Sequence, residues 1–290
     1  MSLLPDDALQ ASFSLRRGYL KELVKRLKRS AFKRLTRGAM PIFFKAKDII
    51  STWPLANGEY EPDVTELIAH YAKNRYSDFF IDVGANIGLT AVTVGSSFDE
   101  IHMFEPNPEC VSILKVNARI SLKNYTIHPY GLGLKDSTEL LEVPANNWGG
   151  AFINEKNNSY GAENLKKLAS DVNASSFHVE IRSGAQVFAS LFQGLSARNK
   201  KLGVIKIDVE GYESIILEAI ADTIPVGMRV LIVFEDLMQT DFTNVLARFK
   251  GRGRLFQIQK KRNFLDTSYT LDPVDPRDHA DSINMVIVVA

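Results

Sequence analysis

The stretch that most constrains this chain is Phe79 to Gly88, FFIDVGANIG. An apolar run, Phe79 to Ile81, ends in Asp82, and Gly84 and Gly88 bracket a tight turn before the helical pattern of Leu89 to Val92. A buried parallel strand hands over in this way, through a turn that glycine tolerates best, to a helix whose N-terminus can face a ligand. Seventeen residues beyond Gly88 a second predicted strand, IHMF, runs into Glu105. A carboxylate at the carboxyl end of the neighbouring strand is placed to accept hydrogen bonds from both ribose hydroxyls of a nucleoside. The expected ligand is therefore of adenosine type, and the missing glycines narrow it. A dinucleotide fold needs G-x-G-x-x-G, whose middle glycine lets the backbone approach a pyrophosphate. Counted from Gly84, Asn86 holds the middle place and Leu89 the third, so a pyrophosphate would meet a side chain. S-adenosylmethionine has no phosphate, and it is the cofactor expected.

Two further motifs follow: FEPNP (Phe104 to Pro108) and IKIDVEGYE (Ile205 to Glu213). With FIDVGANIG, in this order, they resemble the methyltransferase FkbM family, which includes enzymes that methylate sugars of surface and secreted glycans. The likeness covers roughly residues 58–290. It implies an α/β fold, a Rossmann-like seven-stranded class I methyltransferase sheet with helices on both faces. It also implies methyl transfer from S-adenosylmethionine to a hydroxyl of a saccharide or another small acceptor. At the cofactor the expected residues are Asp82, Gly84, Asn86, Gly88, Glu105 and Asn107, with Gly131 in a segment that passes under the adenine in family members. Asn117 matches the family's asparagine in the helix after Glu105. Tyr60-Glu61-Pro62 resembles a segment near the cofactor cleft, which puts Glu61 on the acceptor side; the plainer reading is a carboxylate favouring the dipole of a helix begun by Pro62. NNWGGAF (Asn146 to Phe152) resembles the asparagine-glycine segment after the third core strand. There Trp148, beside Gly149, is either a sugar-stacking platform or the hydrophobic anchor of a lid. A Leu-Asp pair common in the family is replaced by Ser183-Gly184-Ala185, so no role of that aspartate carries over.

The chemistry is expected on VIKIDVE. Alternation puts Lys206, Asp208 and Glu210 on one side of this strand and Ile205, Ile207 and Val209 on the other. Three charged residues on one side of a central strand are too costly for a dry interior and belong at the strand's end, facing a polar cleft. Asp208 or Glu210 is the candidate base and Lys206 its charged neighbour; a purely structural Lys206–carboxylate network is the competing reading. His128, in the strand pattern YTIHPYG, reads more simply as a structural histidine.

Composition bounds the rest. At 290 residues, 45% hydrophobic and 24% charged, the chain suits one large α/β domain with an extension, divided here as 1–57 and 58–290. The single cysteine, Cys110, excludes an internal disulfide. No apolar run approaches the ~18 residues of a membrane span. The opening MSLLPDDALQ is acidic and unlike a signal peptide, so a cytoplasmic location is expected. Residues 1–40 carry ten lysines and arginines against three acids, a net +7, which leaves −6 for the remaining 250. Over residues 15–37 this basic stretch has an apolar stripe at helical spacing, including Leu20, Leu23, Val24 and Leu27. It fits a helix packed on its own domain, or one drawn to anionic lipid at the inner face of the membrane. Nucleic acid is not expected, because only Tyr19 and Phe32 interleave the basic run and the remainder is acidic. Asp272, Asp275, Asp278, His279 and Asp281 read as a solvated loop over the cleft rather than as a metal site. An RNA or protein methyltransferase, or a non-catalytic cofactor-binding subunit, are the alternatives. The absence of an Asp/Asn-Pro-Pro-Tyr/Phe element counts against base-flipping chemistry on DNA.

Overall fold

A computed structural model describes residues 60–153, 174–236, 240–262, 267–277 and 284–290, with 23–24, 26–28, 30–31, 42–45, 48, 50–51, 54 and 158. Its centre is β1 (Phe79–Val83), with all five residues buried. On one side β1 pairs in parallel with β2 (Ile101–Phe104), which pairs with β3 (Tyr125–His128); on the other it pairs with β8 (Leu202–Ile207), then β9 (Arg229–Glu235). The last strand, β12 (Asn284–Val289), inserts antiparallel between β9 and β10 (Gly253–Arg262). The sheet does not stop at the seven strands expected. β11 (Thr267–Pro273) pairs antiparallel with β10 at the edge and makes eight, in the order β11-β10-β12-β9-β8-β1-β2-β3. Pro273 closes the edge strand, where a missing N–H is tolerated. The acidic loop expected from residue 271 thus begins inside this strand, while Asp278, His279 and Asp281 lie outside the described residues.

The two faces of the sheet follow from period-two alternation. Phe79, Ile81 and Val83 of β1 join Ile205 and Ile207 of β8 and Ile232 and Phe234 of β9 in one core. That core is covered by α4 (Gly184–Ala197), α5 (Glu213–Thr223) and α6 (Thr243–Arg248) through Phe188, Phe192, Ile216, Leu217 and Val245. Phe80, Val204, Leu231 and Val233 point the other way, onto α1 (Pro62–Lys73), α2 (Leu89–Val94) and α3 (Pro108–Ser121). Strand β8 ends at Ile207 rather than running through Glu210. Asp208 N still bonds Val83 O (2.9 Å), but Gly211, at φ +88°, then turns the chain with its N–H on Val209 O.

The region least explained by a plain nucleoside fold builds a second sheet of four strands, ordered β4-β7-β5-β6. It comprises β4 (Gly131–Gly133), β5 (Ser137–Val143), β6 (Phe152–Ile153) and β7 (Ser175–Ser183). Val179, Ile181 and Ser183 of β7 are buried while their neighbours are exposed, so the small sheet has one apolar face.

By compactness the chain divides between Ala39 and Met40. Residues 42–45 are bound into the larger unit. Asn117 receives Phe43 N (2.7 Å) on its Oδ1 and donates through Nδ2 to Phe43 O (3.2 Å) and Ile87 O (2.8 Å). Ile42, Phe44, Ile50 and Tyr60 pack on Ile87, Leu89 and Cys110. In the unit before residue 40 the described positions of the basic stretch are helical, and Leu23, Val24 and Leu27 are exposed. Among the described residues no helix is long and apolar enough to cross a membrane.

Candidate active site

A cavity of about 310 Å³ lies past the C-terminal ends of β1, β2, β8 and β9, against the small sheet. This is where ligands enter open α/β sheets. One part is built around a carboxylate. Glu105, just beyond β2 and 6% exposed, has both oxygens held: Oε2 accepts Asn86 N (2.7 Å) and Oε1 accepts Asn107 N (2.8 Å). Each oxygen keeps a second lone pair for a ligand hydroxyl. Burial raises the Glu105 carboxyl to about 7, against the pull of these two N–H groups. Asn86 can orient its N–H because it sits at φ +50°, a conformation asparagine tolerates, with its own Oδ1 on Ile87 N (2.7 Å). Phe104, Pro106, Tyr130, Gly131, Leu132 and Ile181 supply an adjoining, mostly apolar wall.

Asp82, Gly88, Asn107 and Lys206 do not line the cavity. Asp82 alternates with Ile81 and Val83, so it faces the α1 side with Phe80 and does not line the cavity. It is 1% exposed, with Lys206 as its register partner on β8, and burial raises it to about 6. Gly88, at φ +88°, is also behind the wall; a Cβ there would meet Leu114 Cδ1 at 2.6 Å. Asn107 is fully buried, caps α3 by accepting Glu109 N (3.0 Å), and serves Glu105 through its backbone. Lys206 lies beneath the cavity, 5% exposed. Gly84 does line it, but a Cβ at its φ of +82° would collide with the Asp208 carbonyl. The neighbouring backbone, rather than ligand space, demands that glycine.

The opposite wall is acidic. Glu61, Asp208, Glu210 and Glu235 all line the cavity, with the Tyr60 phenol among them. The Lys206 ammonium is 2.6 Å from Asp208 Oδ2 and 3.9 Å from Glu61 Oε2. Burial alone would discharge this lysine, but the carboxylates of Asp208, Glu61 and Asp82 override it and hold the proton more tightly than usual. One ammonium cannot offset four half-buried acids. Burial, with Asp208 adding and Lys206 opposing, raises Glu61 to about 7; burial, with Asp208 and Glu61 adding, raises Glu235 to about 8. Glu235 was not singled out in the sequence, although its place at the end of β9 repeats the strand-end logic that found Glu105.

Trp148 and Gly149 also line the cavity, next to Asn86 and the Ile87 cluster. Trp148 N donates to Asp48 Oδ2 (2.9 Å), and the Lys45 ammonium lies 3.9 Å from the ring centroid. A Cβ on Gly149 would strike Ile50. The turn is therefore clamped by Lys45, Asp48 and Ile50. No sequence signal marked those residues. His128 is outside the cavity wall: it stacks on Phe104 (centroids 4.1 Å apart), with ring nitrogens 3.2 Å from His102 Nδ1 and from the Tyr130 hydroxyl. Burial pushes it down to about 4, so it is neutral and structural. Cys110 is buried against Asn86 Oδ1, its thiol pushed up by burial. Among the described residues no group of acids, histidines and cysteines could hold a metal ion.

The family model of the methyltransferase FkbM domain matches residues 82–261, from Asp82 across both strand-end motifs to β10. The chain belongs to the methyltransferase FkbM family. As an FkbM-family protein it is a methyltransferase, and its sheet is the Rossmann-like sheet of class I methyltransferases with one strand added. It is 23% identical over 228 residues to the hexuronic acid methyltransferase AglP of Haloferax volcanii, covering 77% of this chain and 82% of AglP. Among solved structures, precorrin 8w decarboxylase of Methanobacterium thermoautotrophicum matches 86% of this chain and 100% of its own, at 13% identity and TM-score 0.41. An O-methyltransferase from Bacillus cereus in complex with SAH matches 90% and 97%, at 9% identity and TM-score 0.37. Likenesses this distant carry no argument about the site.

Proposed function

We propose that this methyltransferase takes its methyl group from S-adenosylmethionine and places it on a hydroxyl of a saccharide. The observation that carries the reading is the division of one cavity into two chemistries. Glu105, fixed by two backbone N–H groups, offers acceptor lone pairs at the end of β2, beside the apolar wall of Phe104, Tyr130 and Leu132. Across from it, Glu61, Asp208, Glu210 and Glu235 give a negative wall suited to a ligand carrying positive charge. The residues present fit the donor. Glu105 would hold the ribose, Gly131 and its apolar neighbours would bound the adenine, and the acids would face the cationic end. When bound, S-adenosylmethionine supplies a methyl on positively charged sulfur that leaves as a neutral thioether.

The chain's own task is to bring an acceptor oxygen to that methyl and to help remove its proton. Tyr60, Trp148 and Gly149, which line the cavity, would bound the acceptor, with Trp148 held by Asp48 and Lys45. A saccharide acceptor draws support from AglP, which acts on a hexuronic acid, and from the polar, acid-rich wall. The test is mass spectrometry of glycans from cells with and without the protein. The expected result is a glycan that gains the mass of one methyl group only when the protein is present. Identical glycan masses, with methyl gain instead in RNA or protein, would overturn the saccharide assignment.

A further inference from the structure

Glu61 is held unusually for a residue that only begins a helix. Its backbone is left-handed, φ 42° and ψ 63°, although Pro62 follows and the residue bears a full side chain. It caps nothing with its carboxylate. Its carbonyl instead accepts Thr65 N (2.9 Å) and Thr65 Oγ1 (3.0 Å), which fixes the turn. The side chain lines the cavity, and its buried Oε2 has no hydrogen bond among the described residues. Lys206 stops 3.9 Å short of it and makes its direct contact, 2.6 Å, with Asp208. Of the two carboxylates nearest the buried ammonium, Asp208 is in direct contact with it, whereas Glu61 has only its more distant charge and a hydrogen bond from the Tyr60 phenol. A tightly paired carboxylate is the poorer proton acceptor.

We propose that Glu61 is the catalytic base that takes the acceptor's hydroxyl proton, and that Asp208 is a positioning residue that keeps Lys206 off Glu61. This rests on the methyl-transfer reading. As the acceptor oxygen forms its bond to the methyl carbon, the carbon–sulfur bond breaks with its electron pair left on sulfur. The hydroxyl proton passes to the Glu61 carboxylate and from there to water after release. The groups facing Glu61 suit this task. Lys206 at 3.9 Å keeps part of the population ionised, and the charges of Asp208 and Asp63 oppose ionisation. Burial and those neighbours bring Glu61 to about 7, whereas Glu235 at about 8 is mostly protonated at neutral pH. The Tyr60 phenol, raised by burial and by Glu61, stays protonated and does not compete.

The experiment uses the full chain, with glutamate carboxyls labelled in carbon-13, in the presence of S-adenosylhomocysteine. The Glu61 resonance, identified by its loss in Glu61→Gln, should titrate near neutrality. Methyl transfer from labelled S-adenosylmethionine into a total glycan extract, from cells lacking the protein, is followed against pH. Transfer should rise as that same group ionises. Glu61→Gln should lower it roughly 10²–10⁴-fold and flatten the profile while S-adenosylhomocysteine still binds. Asp208→Asn frees Lys206 to approach Glu61, so both the resonance and the rate profile should move to lower pH. A Glu61 carboxyl titrating in the ordinary carboxylate range, undiminished transfer in Glu61→Gln, or an unmoved profile in Asp208→Asn would overturn the proposal. Absence of transfer by the unaltered protein would instead overturn the methyl-transfer reading, and the carboxyl titration would still judge Glu61.

Discussion

At neutral pH the Glu105 carboxyl stands near the middle of its titration, and it shares that state with several buried acids. Glu61 and Glu105 are raised to about 7, Glu213 and Glu235 to about 8 and Asp82 to about 6, each by burial first. A raised carboxyl binds its proton more tightly in the folded chain than in the unfolded one. Its stabilising contribution is complete below the unfolded value, near 4.5, and is lost as pH rises through the folded value. The ligand-free protein should therefore be more stable at pH 5.5 than at pH 8, by roughly 1–3 kcal/mol, since each tenfold gain in proton affinity on folding contributes ~1.4 kcal/mol. Urea midpoints at the two pH values check this, and a higher midpoint at pH 8 would contradict it. At this scale the sequence was readable where a residue's position follows from its place on a strand, as for Glu105 just beyond β2. It was misleading for Asp82 and Asn107. Both belong to the motifs, yet alternation turns Asp82 to the far side of β1, and Asn107 spends its side chain on capping α3.

Among the elements, the junction of β1 and β8 positions the whole site. Gly84 crosses so close to the Asp208 carbonyl that no side chain fits, and its φ of +82° adds strain for any residue with a Cβ. Gly84→Ala should then destabilise the fold by about 2–4 kcal/mol, the range in which a backbone clash at a strained position falls. Denaturant unfolding measures it. A stable Gly84→Ala that had lost only ligand binding would show that the glycine serves ligand space after all. The parallel core was legible because β1, β2, β8 and β9 are apolar runs ended by acids, with amphipathic helices between them. The eighth strand was not. Thr267 to Pro273 reads as a polar segment running into a proline-rich loop, and only pairing with a long β10 makes it a strand. The end of β8 at Ile207 was hidden for a similar reason: Val209 continues the alternation, while Gly211 has already turned the chain.

For the molecule as a whole, the site belongs to a unit that begins near Met40. Residues 42–51 carry no motif, yet Ile50 lines the cavity, Asp48 holds Trp148 N, and Asn117 brackets Phe43 on both backbone atoms. These are long-range contacts, which a pattern read along the chain does not reveal. A chain beginning at Met40 should fold and bind S-adenosylmethionine as the full protein does. One beginning at Gly58 should lose the cover over Ile87, Leu89 and Cys110 and bind at least tenfold more weakly, a change of ~1.4 kcal/mol or more. Equal binding by the two shortened chains would show that residues 42–51 are dispensable.

The central claim is that the cavity beyond β1 and β2 is an S-adenosylmethionine site governed by Glu105. Titration calorimetry of S-adenosylmethionine into the protein and into Glu105→Gln tests it most directly. Because Gln keeps the shape but loses a charged acceptor, affinity should fall by about 1.5–3 kcal/mol, roughly ten- to 150-fold, with the fold intact. Binding of equal strength to both proteins, or no binding to either, would contradict the account.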